Sequence, residues 1–87
     1  MATHDEAMRK AKFGHRDWIA IPTEDGEVYE PISVRAIKRA MLAAGTRGKF
    51  TVLGASTAVH YAHSWRIGVN LIRNARHLGI PSGEVAR

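Results

Sequence analysis

A small α+β domain is the fold class that the sequence predicts. Two short runs rich in β-favouring residues, RDWIAIPT and EVYE, flank Glu24-Asp25-Gly26, whose Asp-Gly pair suits a tight hairpin. Two other segments carry apolar residues at helical spacing, VRAIKRAMLAA in the middle and SWRIGVNLIRNARHLG near the end. With 87 residues, of which 45% are apolar and 24% charged, one compact domain is expected over residues 1–80, followed by a tail over 81–87.

Each element has a local reason. Thr3 and Glu6 form a capping box for a short helix through Ala7, Met8 and Ala11, which Gly14 ends. Trp18, Ile19 and Ile21 favour an extended strand, and Pro22 restricts it to an edge or an end, because proline donates no ladder hydrogen bond. Ser33 is the N-cap of a helix that runs to Ala44 and stops at Gly45. Val34, Ile37, Met41 and Ala44 fall on one side of it, so burying them turns Arg35, Lys38 and Arg39 outward. Thr46-Arg47-Gly48-Lys49 reads as a basic loop and Phe50-Thr51-Val52-Leu53 as a short third strand. A long carboxy-terminal amphipathic helix then runs from a cap at Ser56 or Thr57 to about His77, packed over the sheet.

That last helix separates cleanly by angle, at about 100° per residue. Arg66, Asn70, Arg73 and His77 share one strip, while Tyr61, Trp65, Ile67, Leu71, Ile72, Ala75 and Leu78 cover the other side. Gly68 lies on the apolar side, where glycine costs about 1 kcal/mol relative to alanine. It therefore marks either the close approach of another element or a kink. A winged-helix variant, with the two basic helices as a helix-turn-helix pair, is a second architecture, although its turn would be unusually long. Trp18, Trp65, Phe13 and Phe50 are all expected in the core.

Charge is divided along the chain. Residues 1–30 hold seven acids against four lysines and arginines, whereas residues 31–87 hold nine basic residues and one acid. No carboxylate lies between Glu30 and Glu84. A solvated helical face normally mixes signs, because i, i+4 Glu–Lys pairs support the helix, so a long one-signed stretch points to a negatively charged partner. Arginine presents a planar donor fork to phosphate or guanine, and asparagine pairs bidentately with adenine.

Nucleic acid is accordingly the expected partner, DNA before RNA. Arg66, Asn70 and Arg73 would lie nearest the groove, with Arg35, Lys38, Arg39, Arg47 and Lys49 on phosphates and Arg76 and His77 also at the binding surface. Because both tryptophans are assigned to the core, the basic segment lacks the interleaved aromatics of a single-strand binder, which favours a duplex. The alternative is a protein-binding module or enzyme inhibitor, using the basic face toward an acidic partner or the Glu24, Asp25, Glu27, Glu30 hairpin toward a basic one. A homodimer contact through Gly68 or the hairpin edge would double the binding surface.

Other chemistries find little support. Without cysteine there is no disulfide or thiolate metal site, which suits a reducing cytoplasm, and MATHDEAMRK lacks the pattern of an export signal. No apolar run reaches the length of a membrane span. His60 and His63 have i, i+3 spacing compatible with a metal, but no acid is near in sequence, and no cofactor is expected. Protonation of these histidines and of His77 in mild acid would strengthen anion binding. There is no phosphate-binding loop and no nucleophile elbow. His63-Ser64-Trp65-Arg66 resembles the His-x-x-Arg box of tyrosine recombinases, yet that family places its nucleophilic tyrosine downstream, and Tyr29 and Tyr61 both precede the box. The likeness implies no catalysis, and a non-enzymatic accessory or regulatory protein is expected.

Overall fold

The computed structural model describes residues 2–14, 16–55 and 57–84. The order of elements is α1 (His4–Gly14), β1 (Trp18–Thr23), β2 (Gly26–Pro31), α2 (Val34–Ala44), β3 (Phe50–Leu53), β4 (Ala58–Tyr61), α3 (Ser64–Arg73) and α4 (Ala75–Leu78). The four strands form one antiparallel sheet in the order β2-β1-β3-β4, so the α+β class holds.

Strand alternation sends side chains to two differently covered faces. Ile19, Ile21, Phe50 and Val52 pack with Ile32, Ala36, Ile37, Ala40 and Met41, and the inner side of α3 lies against this cluster. On the other face Ala20, Tyr29 and Leu53 pack with Ala2 and Ala7, beneath α1. The sheet is thus covered on one face by α1 and on the other by α2, with α3 packed alongside α2.

The local signals act where the sequence places them. Thr3 Oγ1 accepts from the Glu6 amide at 3.3 Å, as the cap requires, and donates to the Glu6 carboxylate at 3.1 Å, so Glu6 reaches back to the Thr3 hydroxyl. Ser33 Oγ accepts from the Ala36 amide at 3.0 Å, and Gly45, at φ 77°, closes α2 by donating to the Met41 carbonyl. Pro22 stands near the end of β1, beyond Trp18 and Ile19, which alone pair with β3.

Several expectations change. The long last helix is not formed: Ala58–Tyr61 is a fourth strand, helix begins at Ser64, and it is interrupted at Asn74. Residues 58–61 satisfy their backbone by pairing with the open edge of β3, from Phe50↔Tyr61 to Leu53↔Ala58. Thr57 therefore precedes a strand and caps no helix, and Ser56 lies outside the described residues. Because a hairpin separates α2 from α3, the helix-turn-helix variant does not hold. Phe13 and Trp65 are surface residues, 71% and 45% exposed, whereas Phe50 is buried and Trp18 half-buried.

The segment after α4, expected as a tail, is tied down at its start. The Val34 amide donates to the Pro81 carbonyl at 2.9 Å and the Arg35 amide to Ser82 at 3.0 Å. Together with Ser33 Oγ, which accepts from Ala36, these carbonyls satisfy the N–H groups of Val34, Arg35 and Ala36, the first three residues of α2, which have no partner within the helix.

Candidate nucleic-acid interface

The two basic helices lie side by side and antiparallel. Ser64, at the start of α3, donates its side chain to the carbonyl of Gly45 just after α2, and its amide to Gly48 at 2.8 Å. One turn further along α3, a Cβ at Gly68 would overlap the thioether of Met41. Glycine at 68 is therefore explained by close helix approach, and its burial leaves it unavailable for a homodimer contact.

This packing decides where the cations point. Ala36, Ile37, Ala40 and Met41 are the buried residues of α2, and Arg35, Lys38 and Arg39 are exposed on its far side. On α3, Ser64 and Gly68 are buried while Arg66, Asn70 and Arg73 are exposed. The α2 strip thus lies opposite the side that packs on the sheet, and the α3 strip opposite the side that packs on α2. The bonds from Ser64 to Gly45 and Gly48 place the Arg47 loop beside the first turn of α3, and Arg47 is exposed there. Arg76 and His77 are exposed on α4, beyond the interruption at Asn74, whose side chain donates to the Asn70 carbonyl at 2.8 Å. No acidic residue occupies the first turn of α3 and no side chain caps it, so its amide end adds to the positive potential.

Not every expected residue joins this layer. Arg39 is ion-paired with Glu30 of β2, so it must give up that partner to meet a phosphate. Because Phe50 points toward α2 and α3, its neighbour Lys49 points the other way. It lines a 370 Å³ cleft across the sheet with His4, Glu27, Tyr29, Thr51 and His60. Glu84, the single acid of the later sequence, lines a 690 Å³ groove along α2 together with Arg35, Lys38, Arg39 and Leu42. The layer is therefore less purely one-signed than the linear sequence implies.

The histidine pair separates. His60 lies on β4 with Nδ1 2.9 Å from Thr51 Oγ1, and His63, in the left-handed region at φ 58°, precedes α3. Their helical i, i+3 relation is lost, and among the described residues no three candidate ligands gather as a metal site.

Linear reading missed two features. Trp65 sits on the rim of the helical layer, about 100° round from Arg66, a boundary position that the angular analysis placed on the inner side. Leu42, 74% exposed, stands on the outer face of α2 among its cations. Its angular position between Lys38 and Arg39 could have exposed it. Compared with known proteins, the chain matches no family model, no curated protein and no solved structure. Among the described residues no helix is long and apolar enough to cross a membrane.

Proposed function

We propose that this protein binds nucleic acid without catalysis, with DNA as the leading partner, as a small cytoplasmic accessory or regulatory factor. The observation that supports this reading is the exposure of cations on three consecutive parts of the chain that pack together: Arg35 and Lys38 on α2, Arg47 in the loop, and Arg66 and Arg73 on α3. Spacing along a helix makes such a strip, and helix pairing joins two strips into a surface that a phosphate backbone can cross. Asn70, between the two arginines of α3, supplies an amide suited to a base edge.

The expectation of a duplex rested on both tryptophans being core residues. Exposure of Trp65 takes that ground away, so single and double strands belong in the same test. Fluorescence anisotropy with a labelled duplex and its single strand is expected to show binding that weakens by roughly a thousandfold from 50 to 200 mM salt, if about six phosphates are neutralised. Arg66→Glu with Arg73→Glu should abolish duplex binding while melting stays unchanged, since both residues are exposed. Failure of micromolar protein to bind either form at low salt would refute the proposal.

A second reading rests on Leu42. An exposed leucine beside Arg35 and Lys38 in the α2 groove suits an acidic protein segment that offers one apolar side chain. Leu42→Ser separates the two, because it leaves phosphate contacts intact and removes the apolar anchor.

A further inference from the structure

Across the sheet from α2 and α3, the end of α1 and the start of β1 form a surface that the charge pattern conceals. Residues 1–30 carry net negative charge, but the fold distributes it unevenly: Asp5 and Glu6 lie in the first turn of α1, and Asp17 lines a neighbouring cleft with Gly14 and Arg16. Glu24, Asp25, Glu27 and Glu30 belong to the turn and second strand of the hairpin, whereas Lys10, Lys12 and Arg16 gather near Phe13 and Trp18. A shallow, open cleft of 410 Å³ is lined there by Lys10, Phe13, Gly14, Arg16, Trp18 and Pro31, with no carboxylate among the described residues that line it.

Two aromatic rings stand at this cleft with ammonium groups over them. Lys10 Nζ lies 5.4 Å from the centroid of Trp18, and Lys12 Nζ 5.6 Å from that of Phe13. The exposure of Phe13 follows from the helix: Ala7 and Ala11 are fully buried against the sheet, and Phe13, two residues past Ala11, is turned about 200° away from them. An aromatic ring kept 71% in water contributes little to the fold, and the cations beside it add no apolar burial.

We infer that this cleft is a second binding site, whose ligand is a single-stranded nucleic acid with unpaired bases. Flat π-faces on Phe13 and Trp18 match bases freed from a duplex, and the adjacent ammonium and guanidinium groups match the phosphates that flank each base. A duplex hides its base faces and gains only the charge. An acidic peptide gains the charge but lacks a flat partner at every repeat. This assignment stands on α1 and β1 alone and does not require the α2 and α3 layer to bind anything.

The full chain with Trp65→Phe retains Trp18 as its one indole, which makes Trp18 emission a local reporter. Titration with a twelve-nucleotide oligothymidylate at low salt is expected to quench that emission, and a blunt duplex of equal charge is expected to quench it far less. Phe13→Ala should weaken oligothymidylate binding by about 5- to 150-fold, the range for loss of one stacked base, with unchanged melting because the ring is exposed. Lys10→Gln with Lys12→Gln should reduce the salt dependence by about two phosphates. Arg66→Glu with Arg73→Glu should leave the Trp18 signal intact. Loss of that signal in the α3 variant would assign the strand to the other face and overturn the inference. Equal quenching by duplex or by polyglutamate, or indifference to Phe13→Ala, would overturn it too. Failure of duplex binding alone would count only against the α2 and α3 layer.

Discussion

The two faces of the sheet are covered by different means. On the α2 face Ile37 and Met41 of the helix meet Ile19, Ile21, Ile32, Phe50 and Val52, large side chains that pack in one cluster. Under α1 the contact is made mainly by small residues, Ala2, Ala7, Ala11 and Ala20, with Tyr29 and Leu53 supplying bulk. Alanine lets a helix lie close to a sheet but removes little apolar surface from water, and stabilisation scales with that area at about 25 cal/mol per Å². Stability is therefore concentrated on one face. The other face holds a lightly attached helix whose bulkiest residue, Phe13, points away from the fold.

The largest test of this contrast is truncation of the core on each side. Phe50→Ala should cost about 3–5 kcal/mol, most of the stability of a domain this size, and should leave little folded protein in mild urea. Met8→Ala, at a half-buried position under α1, should shift the urea midpoint much less. Equal losses would break the comparison.

A smaller and sharper test uses one substitution in both helices. Gly68→Ala drives a methyl into the buried Met41 side chain, an overpacking cost of about 1–3 kcal/mol set against a helix-propensity gain of about 1 kcal/mol, so melting should fall. At Gly14 a Cβ meets nothing within 4 Å and φ is not positive, so Gly14→Ala should raise the melting temperature slightly. Opposite signs are expected.

The smallest effect is a pH dependence on the α1 side. Burial, followed by the hydrogen bond and the nearby charge of Glu27, pushes the Tyr29 phenol up to about 12 from an ordinary value near 10. The folded state holds this proton more tightly than the unfolded chain. The contribution is therefore fully present below pH 10 and is lost as pH rises from 10 through 12. Tyr29→Phe should flatten the fall in melting temperature over that range relative to the parent protein. An unchanged slope would separate Tyr29 from the alkaline loss.

Much of the local architecture was legible before any coordinates. The Thr3 and Ser33 caps, the hairpin, whose turn falls on Glu24 and Asp25 with Gly26 opening β2, the bounds of α2 and the third strand depend on residues within four positions of one another. The outward directions of Arg35, Lys38, Arg66 and Arg73 follow from helical spacing alone. Phe13 could also have been read correctly, since its angle from Ala7 and Ala11 already turns it outward. Residue type alone points it to the core, but position around the helix is the better guide.

The sequence by itself thus determined the class of fold, its capped helices and the outward turn of each cationic strip, because these follow from torsion preferences and periodicity over a few residues. Tertiary structure alone decided that Ala58–Tyr61 is a strand, that Arg39 meets Glu30, that Lys49 lies across the sheet, and that Lys10 and Arg16 share a cleft with Trp18. Each of those outcomes depends on a partner distant in the chain: an open sheet edge, a carboxylate on another strand, or the far wall of a cleft. Long-range packing brings such partners together, and no local preference specifies it.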